Sequence, residues 1–204
     1  MSHPQSAADV TSALLASAAG NRVAVITGLE PAWSGASALG AALTVRGAPG
    51  DNLALHQAIA QARENVVIVA DVGGEREIAH CGDLLALAAR ARGVRGIVLN
   101  GSIRDRATIA ELRYPVFHNG TSPRGPTKRV PGELGVPIEL MGVTVESGDI
   151  VCADDDGIVV VPSHEADEIL ALAIGLAARE REYEARIAAG ESTLEIFGLP
   201  RPVS

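Results

Sequence analysis

The sequence predicts a mixed α/β fold, and three features of the chain point to it. A buried strand, an amphipathic helix and a second buried strand follow one another between residues 65 and 100. Val and Ile then alternate with turn residues over 137–161, and a long helical pattern runs from 163 to about 190. The first feature is typical of parallel strands and the second of antiparallel hairpins, so we expect a mixed sheet and a long C-terminal helix.

The first quarter of the chain predicts two helices and two strands. Apolar residues at helical spacing end at Gly20-Asn21, and the turn Pro49-Gly50-Asp51 leads into a second helix that Asp51 is expected to cap. The predicted elements are a helix over 8–19, strands over 23–26 and 41–46, and a helix from 51 to about 62.

The middle of the chain predicts the buried part of the sheet. Residues 65–71 form a continuous apolar run, typical of a strand buried on both faces, and Gly73 and Gly74 follow at its carboxyl end, where ligands often bind. A helix over 82–92 would place four apolar residues on one face, namely Leu84, Leu85, Ala88 and Ala89. Beyond it we expect a strand over 97–100, a short helix from Arg104-Asp105 to 112, a strand over 115–118 and a loop over 119–135.

The last third predicts short antiparallel strands joined by tight turns. Turn residues occur at Ser147-Gly148-Asp149 and at Asp156-Gly157, and Ser163 is expected to cap the terminal helix. The run Asp154-Asp155-Asp156-Gly157 lacks the glycine position of a calcium-binding EF-hand loop, so a hairpin turn explains it better. No repeat or linker interrupts the chain, which predicts one domain over 1–204.

Composition narrows the class of protein. Apolar residues make up 47% of the chain and aromatic residues 2%, which predicts a core of Ala, Val, Leu and Ile. A net charge of -8 argues against binding of duplex nucleic acid. The two cysteines, Cys81 and Cys152, are too few for a disulfide framework and are expected to be reduced and buried. The chain has no apolar run long enough for a membrane span and no N-terminal signal pattern, so we expect a cytoplasmic protein.

The chain lacks the sequence motifs of several common classes of enzyme. A class I aldolase needs a lysine that forms a Schiff base, and the single lysine, Lys128, lies in the loop rich in Gly and Pro. Lys128 is better explained as a solvated or substrate-entrance charge. No serine-hydrolase elbow, P-loop or dinucleotide-binding fingerprint occurs. Carbon–carbon chemistry in this chain would therefore use a metal ion.

One constellation of residues combines groups that bind carboxylates and metals. Gly82-Asp83-Leu84-Leu85 opens one predicted helix, and Arg104-Asp105 follows the next strand after twenty intervening residues. The free N–H groups of the helix and the Arg104 guanidinium can bind a carboxylate, whereas Asp105 offers a hard oxygen ligand and Asp83 can hold a water. The simpler alternative is a helix cap with a surface salt bridge.

These residues resemble the RraA-like family, the regulators of ribonuclease E activity, and within it the 4-hydroxy-4-methyl-2-oxoglutarate aldolases. The resemblance covers about residues 23–200, and its most specific part is Asp83 followed, after twenty residues, by Arg104-Asp105. Further matching segments are Pro49-Gly50-Asp51-Asn52, Pro115-Val116-Phe117, and 147–149 through 156–162. The family fold implied is an α/β/α sandwich of the swivelling, phosphohistidine-domain type, assembled as a homotrimer or hexamer.

The resemblance also implies roles for individual residues. The backbone of Gly82–Leu85 and Arg104 would bind the substrate carboxylate and keto oxygen, Asp105 would ligate Mg2+ or Mn2+ directly, and Asp83 would act through water. A further acid would reach the site from a neighbouring subunit, and either Glu180 or Glu182 matches it, although a solvated helix face explains both residues as well. His80 and His118 flank the expected cleft and are left out of the catalytic set.

The implied function is a class II aldolase, a lyase that cleaves 4-hydroxy-2-oxo acids to pyruvate and also decarboxylates oxaloacetate. The family includes members that inhibit a ribonuclease and lack the aspartate after the arginine, so Asp105 favours an enzyme over a regulator that binds a ribonuclease or another protein. Thr108, Asn100 and Val72 depart from the pattern of many aldolases and leave substrate and rate open. A methyltransferase name also attached to the family finds no glycine-rich cofactor loop here.

Overall fold

The structure is a computed structural model that describes residues 10–201. Within this range the chain forms α-helices and β-strands, and the strands make one large sheet and one two-stranded ribbon. The helices are α1 (Ser12–Ala19), α2 (Leu53–Gln61), α3 (Asp83–Ala91), α4 (Arg106–Glu111), α5 (Ala166–Ala188) and α6 (Thr193–Ile196). The strands are β1 (Ala24–Ile26), β2 (Glu30–Pro31), β3 (Ala38–Arg46), β4 (Val66–Asp71), β5 (Ala79–Cys81), β6 (Gly96–Ile103), β7 (Val116–Thr121), β8 (Glu133–Leu134), β9 (Ile138–Leu140), β10 (Val143–Val145), β11 (Ile150–Asp154) and β12 (Gly157–Val161).

The large sheet is mixed, as predicted. Its strands run in the order β1-β12-β11-β3-β4-β6-β7-β2, with β5 beside β6 and β8 beside β3. Strands β3, β4, β6 and β7 are parallel, whereas β1, β11 and β12 pair antiparallel. The nine residues of β3 join the two halves, because Ala41 lies opposite Val66 on one side and opposite Ile150 on the other.

Alternation along β3 defines the layers of the domain. Leu39 packs with α1 and α5, and Leu43 and Val45 pack with α2 and α3, so the helices lie along one face. Ala38 and Ala42 point to the opposite face, which is covered by the antiparallel ribbon of β9 and β10. The α/β class, the mixed sheet and the long C-terminal helix are confirmed. The layers run helix, sheet and ribbon, which corrects the helix–sheet–helix order of the predicted sandwich, because the 137–145 hairpin occupies the second face.

Several element boundaries differ from the sequence predictions. Helix α1 has Thr11 as its N-cap, and the first two residues of the predicted helix lie outside the described range. The prediction that Asp51 caps α2 was wrong, because Asn52 is the N-cap residue. Asp51 lies one residue before the N-cap, and its carboxylate accepts a hydrogen bond from Leu53 N–H at 2.9 Å. Ser163 is also not a helix cap, because it begins a short 3-10 turn and donates its N–H to Asp149 Oδ1 at 3.0 Å.

The buried face of α3 is rotated from the predicted one. Leu85 and Ala89 are buried as expected, but Ala86 completes the face, and Leu84 is 73% exposed. The first turn of α3 therefore turns one large apolar side chain away from the core. That side chain lines the cleft described below.

The core and the cysteines follow the composition. Ala, Val, Leu and Ile supply most buried side chains, and Phe117 is the bulkiest among the fully buried ones. Cys81 and Cys152 are free and buried, and burial raises the pKa of each thiol to about 12. Among the helices within residues 10–201, none combines the length and hydropathy that crossing a bilayer requires.

Candidate functional site

The N-terminus of α3 forms one wall of a cleft at the carboxyl end of the parallel strands. Strand β5 leads directly into it, and Gly82 is the N-cap, with an extended backbone at φ -144°. The first free N–H groups of this nine-residue helix have no intrahelical acceptor, so they can bind an anion. Asp83 and Leu84 belong to this turn, and the Asp83 Oδ1 atom accepts from Leu84 N–H at 2.7 Å.

Gly82 allows the second half of the predicted constellation to approach. A Cβ atom at this position would lie 2.7 Å from Asp105 Oδ2 and 3.1 Å from Arg104 Cγ. Backbone pairing fixes the approach, since Arg104 N–H donates to the Cys81 carbonyl at 2.9 Å. The structure therefore brings Gly82, Asp83, Arg104 and Asp105 together, although twenty residues separate Asp83 from Arg104 in sequence.

The Arg104–Asp105 pair is poorly explained as a stabilising contact. Arg104 Nε lies 3.3 Å from Asp105 Oδ2, and the two side chains are 43% and 39% exposed. Exposed ion pairs contribute roughly 0–1 kcal/mol, so little stability depends on this one. Asp105 also has a left-handed backbone, with φ 56°, at the N-cap of α4 and makes no side-chain capping bond. A non-glycine residue in this conformation carries strain, which is typical of functional sites.

A loop from β7 to β8 covers the cleft and is anchored by a buried carboxylate. Asp51 Oδ2 accepts from Thr127 Oγ1 at 2.5 Å and from Arg129 N–H at 2.6 Å. Burial opposes the charge on Asp51, but these hydrogen bonds overcome it and hold the pKa of the carboxyl below its usual range. Gly125 of the same loop packs over Arg104, because a Cβ there would lie 3.0 Å from its Nη1.

The cleft is also lined by residues to which the sequence analysis assigned no role. They are Asn52 and His56 from the start of α2 and Pro126 from the loop, and Lys128 lies beside them. Asn52 Oδ1 and His56 Nε2 are buried without a hydrogen-bond partner. Burial, followed by the nearby Lys128 charge, lowers the pKa of His56, so its ring is neutral near pH 7. The sequence signals for them were their spacing of four residues and the presence of Asn52 in the matching segment Pro49-Gly50-Asp51-Asn52.

The two histidines set aside at the sequence level have different surroundings. His80 lines the cleft but is fully buried, and its Nε2 accepts from Gly50 N–H at 2.9 Å, so the ring supports the turn before α2. Burial lowers its pKa and keeps it neutral. His118 is buried under α4, and burial followed by the Arg106 charge lowers its pKa. The Cys81 thiol, below α3, is also protonated, because burial and then Asp105 and Asp83 raise its pKa.

Two predicted residues lie away from the cleft of their own chain. Glu180 and Glu182 are exposed on the distal part of α5, beyond Ala177, the last buried residue of that helix. Neither lines the cleft. Among the described residues, Asp83 lines the cleft together with Arg104, and Asp105 pairs with Arg104.

The residues of the cleft fit a hard divalent cation better than a softer metal. No group of three His, Cys, Asp or Glu side chains within residues 10–201 is arranged to hold an ion. Zinc sites usually need three or four such ligands, whereas magnesium binds through one or two carboxylates and keeps several waters. Asp105, exposed beside the space that Gly82 leaves open, has the donor chemistry and access for such an ion.

Comparison with models of known protein families identifies the family of this chain. The model of the RraA-like family, described as Aldolase/RraA, matches residues 7–160. The chain belongs to the RraA-like family. A relative from Halalkalibacterium halodurans, named as a candidate 4-hydroxy-4-methyl-2-oxoglutarate aldolase, is 34% identical over 142 residues, which cover 70% of this chain and 68% of the relative.

Solved structures of this RraA-like protein's relatives carry other names. One titled as an S-adenosylmethionine:2-dimethylmenaquinone methyltransferase from Geobacillus kaustophilus is 31% identical, with a TM-score of 0.70, over 74% of this chain and 94% of that chain. RraAS2 of Streptomyces coelicolor, titled as an unusual member of the RNase ES inhibitor RraA family, is 29% identical, with a TM-score of 0.73, over 86% and 91%. These two proteins resemble this RraA-like chain in sequence and fold, but their titles describe different functions.

Proposed function

We propose that this RraA-like protein is a divalent-metal-dependent lyase that cleaves 4-hydroxy-4-methyl-2-oxoglutarate and similar 4-hydroxy-2-oxo acids to pyruvate. The observation that carries the proposal is the meeting of the α3 N-terminus, Arg104 and Asp105 at Gly82. A carboxylate site, a bidentate cation and a hard metal ligand together can bind a 2-oxo acid through its carboxylate and keto oxygen atoms. The named H. halodurans relative supports the same substrate class.

The chain's own residues supply binding and charge. The backbone N–H groups of Gly82–Leu85, at the start of α3, bind the C1 carboxylate, and the Arg104 guanidinium donates to the carboxylate and the C2 keto oxygen. A divalent cation held by Asp105 would supply Lewis-acid charge at the same keto oxygen. When the C3–C4 bond breaks, its electrons form a pyruvate enolate, and Arg104 opposes the charge that develops on the enolate oxygen.

Proton movement completes the reaction. The C4 hydroxyl loses its proton as the C4 carbonyl forms, and C3 gains a proton to give the pyruvate methyl group. Asp83, in the same turn, would hold the water that carries these protons. Loss of carbon dioxide from oxaloacetate gives the same enolate, so the same residues would support decarboxylation.

The test is pyruvate release from 4-hydroxy-4-methyl-2-oxoglutarate and from oxaloacetate, with magnesium, with manganese and with chelator. We expect metal-dependent release that Asp105→Ala abolishes and Arg104→Ala reduces at least about hundredfold. Asp167→Ala removes an exposed carboxylate on α5 and serves as the matched control, with native turnover expected. Full turnover in Asp105→Ala would refute the proposal.

The subunit arrangement belongs to the same proposal. We propose a homotrimer or hexamer in which Glu182 or Glu180 of one subunit acts through water at the cleft of its neighbour; both side chains are exposed on α5. Light scattering measures the assembly. Mixing inactive Asp105→Ala subunits with inactive Glu182→Gln or Glu180→Gln subunits should restore part of the activity, because some clefts then contain both native residues. No recovery with either variant would contradict a shared site.

A non-catalytic regulator is the second candidate, favoured by the similarity to the S. coelicolor RNase ES inhibitor family member. It predicts no pyruvate release under any metal condition and direct inhibition of a purified ribonuclease. In that case Asp105→Ala should inhibit the ribonuclease as well as the native chain does.

A further inference from the structure

Asp105 has a backbone conformation that its own helix does not enforce. It lies at the N-cap of α4 with φ 56° and ψ 34°, in the left-handed region, and its side chain makes no capping hydrogen bond. Helix α4 has six residues, and a helix that short is not stable by itself in water. A strained residue keeps such a conformation only where the surrounding structure fixes it. The restraint on Asp105 must therefore come from contacts on either side of it.

The residue before Asp105 and the residue after it are both tied to the sheet. On one side, Arg104 N–H donates to the last carbonyl of β5 at 2.9 Å. On the other side, the Arg106 guanidinium donates through Nε to the Ala32 carbonyl at 2.8 Å and, with a longer bond, through Nη2 to the Pro31 carbonyl at 3.5 Å. Asp105 thus lies between two anchored neighbours.

The segment that accepts these hydrogen bonds from Arg106 is itself fixed to the core. Ala32 is 2% exposed, and its N–H donates to the Val116 carbonyl at 2.8 Å. Pro31 lies opposite Phe117 in the antiparallel pairing of β2 with β7. Because these contacts fix the two accepting carbonyl groups relative to the sheet, Arg106 fixes the first turn of α4 relative to the same sheet.

Helix stability and charge do not explain an arginine at position 106. Arg106 is the first residue of α4, where the helix dipole disfavours a cation. Its hydrogen bonds go to main-chain carbonyls rather than to carboxylates. Its positive charge, next to Asp105 in sequence, would also repel a divalent cation at that carboxylate. The hydrogen bonds to Ala32 and Pro31 are therefore the favourable contribution of this side chain.

We infer that Arg106 is a positioning residue for Asp105. Its hydrogen bond to Ala32 holds the start of α4 against the sheet and keeps Asp105 in the left-handed conformation, in which it lines a cavity together with Arg104. The inference rests on the proposed function, in which Asp105 ligates the divalent cation. Without the anchor, the left-handed conformation becomes one of several, and the apparent affinity for the cation falls with its population.

The experiment measures Mn2+ binding to the full chain, without substrate, by electron paramagnetic resonance. Arg106→Gln keeps an N–H donor on Cδ, the carbon that carries Nε in arginine, and removes the charge. Arg106→Met has a similar length and no donor. We expect Arg106→Met to raise the Kd for Mn2+ about tenfold, because an unrestrained non-glycine residue leaves the left-handed region by about that factor. Arg106→Gln should stay within about threefold of the native Kd.

Arg90→Met is the matched control, because it removes the same kind of contact from the other end of the same helix. Arg90 is exposed, and its Nη1 donates to the carbonyl of Leu112, the C-cap of α4, at 3.0 Å. This variant should keep the native Kd for Mn2+, since the contact lies far along the chain from Asp105.

Amide hydrogen exchange gives a second readout that needs no metal. Ile109 N–H donates to the Asp105 carbonyl at 3.0 Å, the hydrogen bond with which α4 begins. Its exchange should become about tenfold faster in Arg106→Met and stay native in Arg106→Gln and Arg90→Met. Adding Asp105→Gly to Arg106→Met should restore part of the protection, because glycine adopts the left-handed conformation without strain.

The outcomes separate this inference from the proposed function. A native Kd for Mn2+ or native Ile109 exchange in Arg106→Met overturns the inference. Mn2+ binding as weak in Arg106→Gln as in Arg106→Met also overturns it, because charge rather than the hydrogen bond would then matter. Fast exchange that persists when Asp105→Gly is added overturns the link through Asp105. Absence of Mn2+ binding by the native protein contradicts the proposed function, and Ile109 exchange alone then decides whether Arg106 holds Asp105.

Discussion

Replacing Gly82 by Ala separates the stability of the fold from the geometry of the cleft. The backbone of Gly82, at φ -144° and ψ -169°, is extended and suits any residue, so alanine causes no backbone strain. The added Cβ would lie 2.7 Å from Asp105 Oδ2. A carbon–oxygen contact needs about 3.3 Å, so the carboxylate must move by roughly 0.6 Å.

This displacement falls on the residues that the proposed reaction needs most. A misplacement of about 1 Å can cost about a hundredfold in rate, so Gly82→Ala should lower kcat/KM for pyruvate release by roughly ten- to a hundredfold. The exposed end of Asp105 can swing away, so the free energy of unfolding should change by less than about 1 kcal/mol.

The assay pairs steady-state pyruvate release with urea unfolding. Gly175→Ala is the control, because Gly175 lies in α5 with open space around it and should gain about 0.5–1 kcal/mol from helix propensity with unchanged turnover. Turnover within twofold of native in Gly82→Ala would show that the close approach of Asp105 to α3 has no catalytic importance.

Three further predictions concern stability. Asp51→Asn should remove the hydrogen-bonded carboxylate and lower the stability of the fold. Because folding lowers the pKa of Asp51, the carboxylate stabilises the fold at pH values above its unfolded pKa of about 3.9. This stabilisation is lost as the pH falls below that unfolded pKa. The difference in melting temperature from native should thus be constant between pH 5 and 7 and shrink below about pH 4; a constant difference at all pH values would contradict it. Thr44→Val should cost about 1–3 kcal/mol in urea unfolding, because the buried Thr44 Oγ1 donates to the Val136 carbonyl at 2.7 Å, whereas Thr108→Val, at an exposed position, should cost little. Phe117→Ala should cost about 3–5 kcal/mol, and Phe197→Ala, half exposed, much less; similar losses would refute the assignment of Phe117 to the core.

The sequence was most informative where one type of local pattern dominates. The apolar run before Asp71 and the alternating Val and Ile residues after Pro137 each predicted strands that the structure contains. Strands of two or three residues, such as β2, β5 and β8, were missed, because they are too short to carry a period and are held by their neighbours. The order of the layers was also out of reach, since it depends on where the β9–β10 ribbon docks.

The cleft residues also differ in how well the sequence predicted them. The spacing of Asp83 and Arg104-Asp105 predicted their approach, because a helix between two parallel strands brings its start close to the end of the next strand. Asn52 and His56 gave no comparable signal, since a single helical turn with two polar residues is common on any surface. Their importance depends on burial and on the fold of a distant loop over α2, which only the structure supplies.

The pairing of β3 with β11 has a consequence for the order of events during synthesis. Ala38 lies opposite Ala153, so one edge of β3 stays bare until most of the chain has left the ribosome. A nascent chain that ends before Ile150 already contains every cleft residue, but its β3 edge is only partly paired. Bare edges of this kind promote association between chains. Completion of the domain therefore waits for translation of the last strands, and chaperone contact is most valuable in that interval.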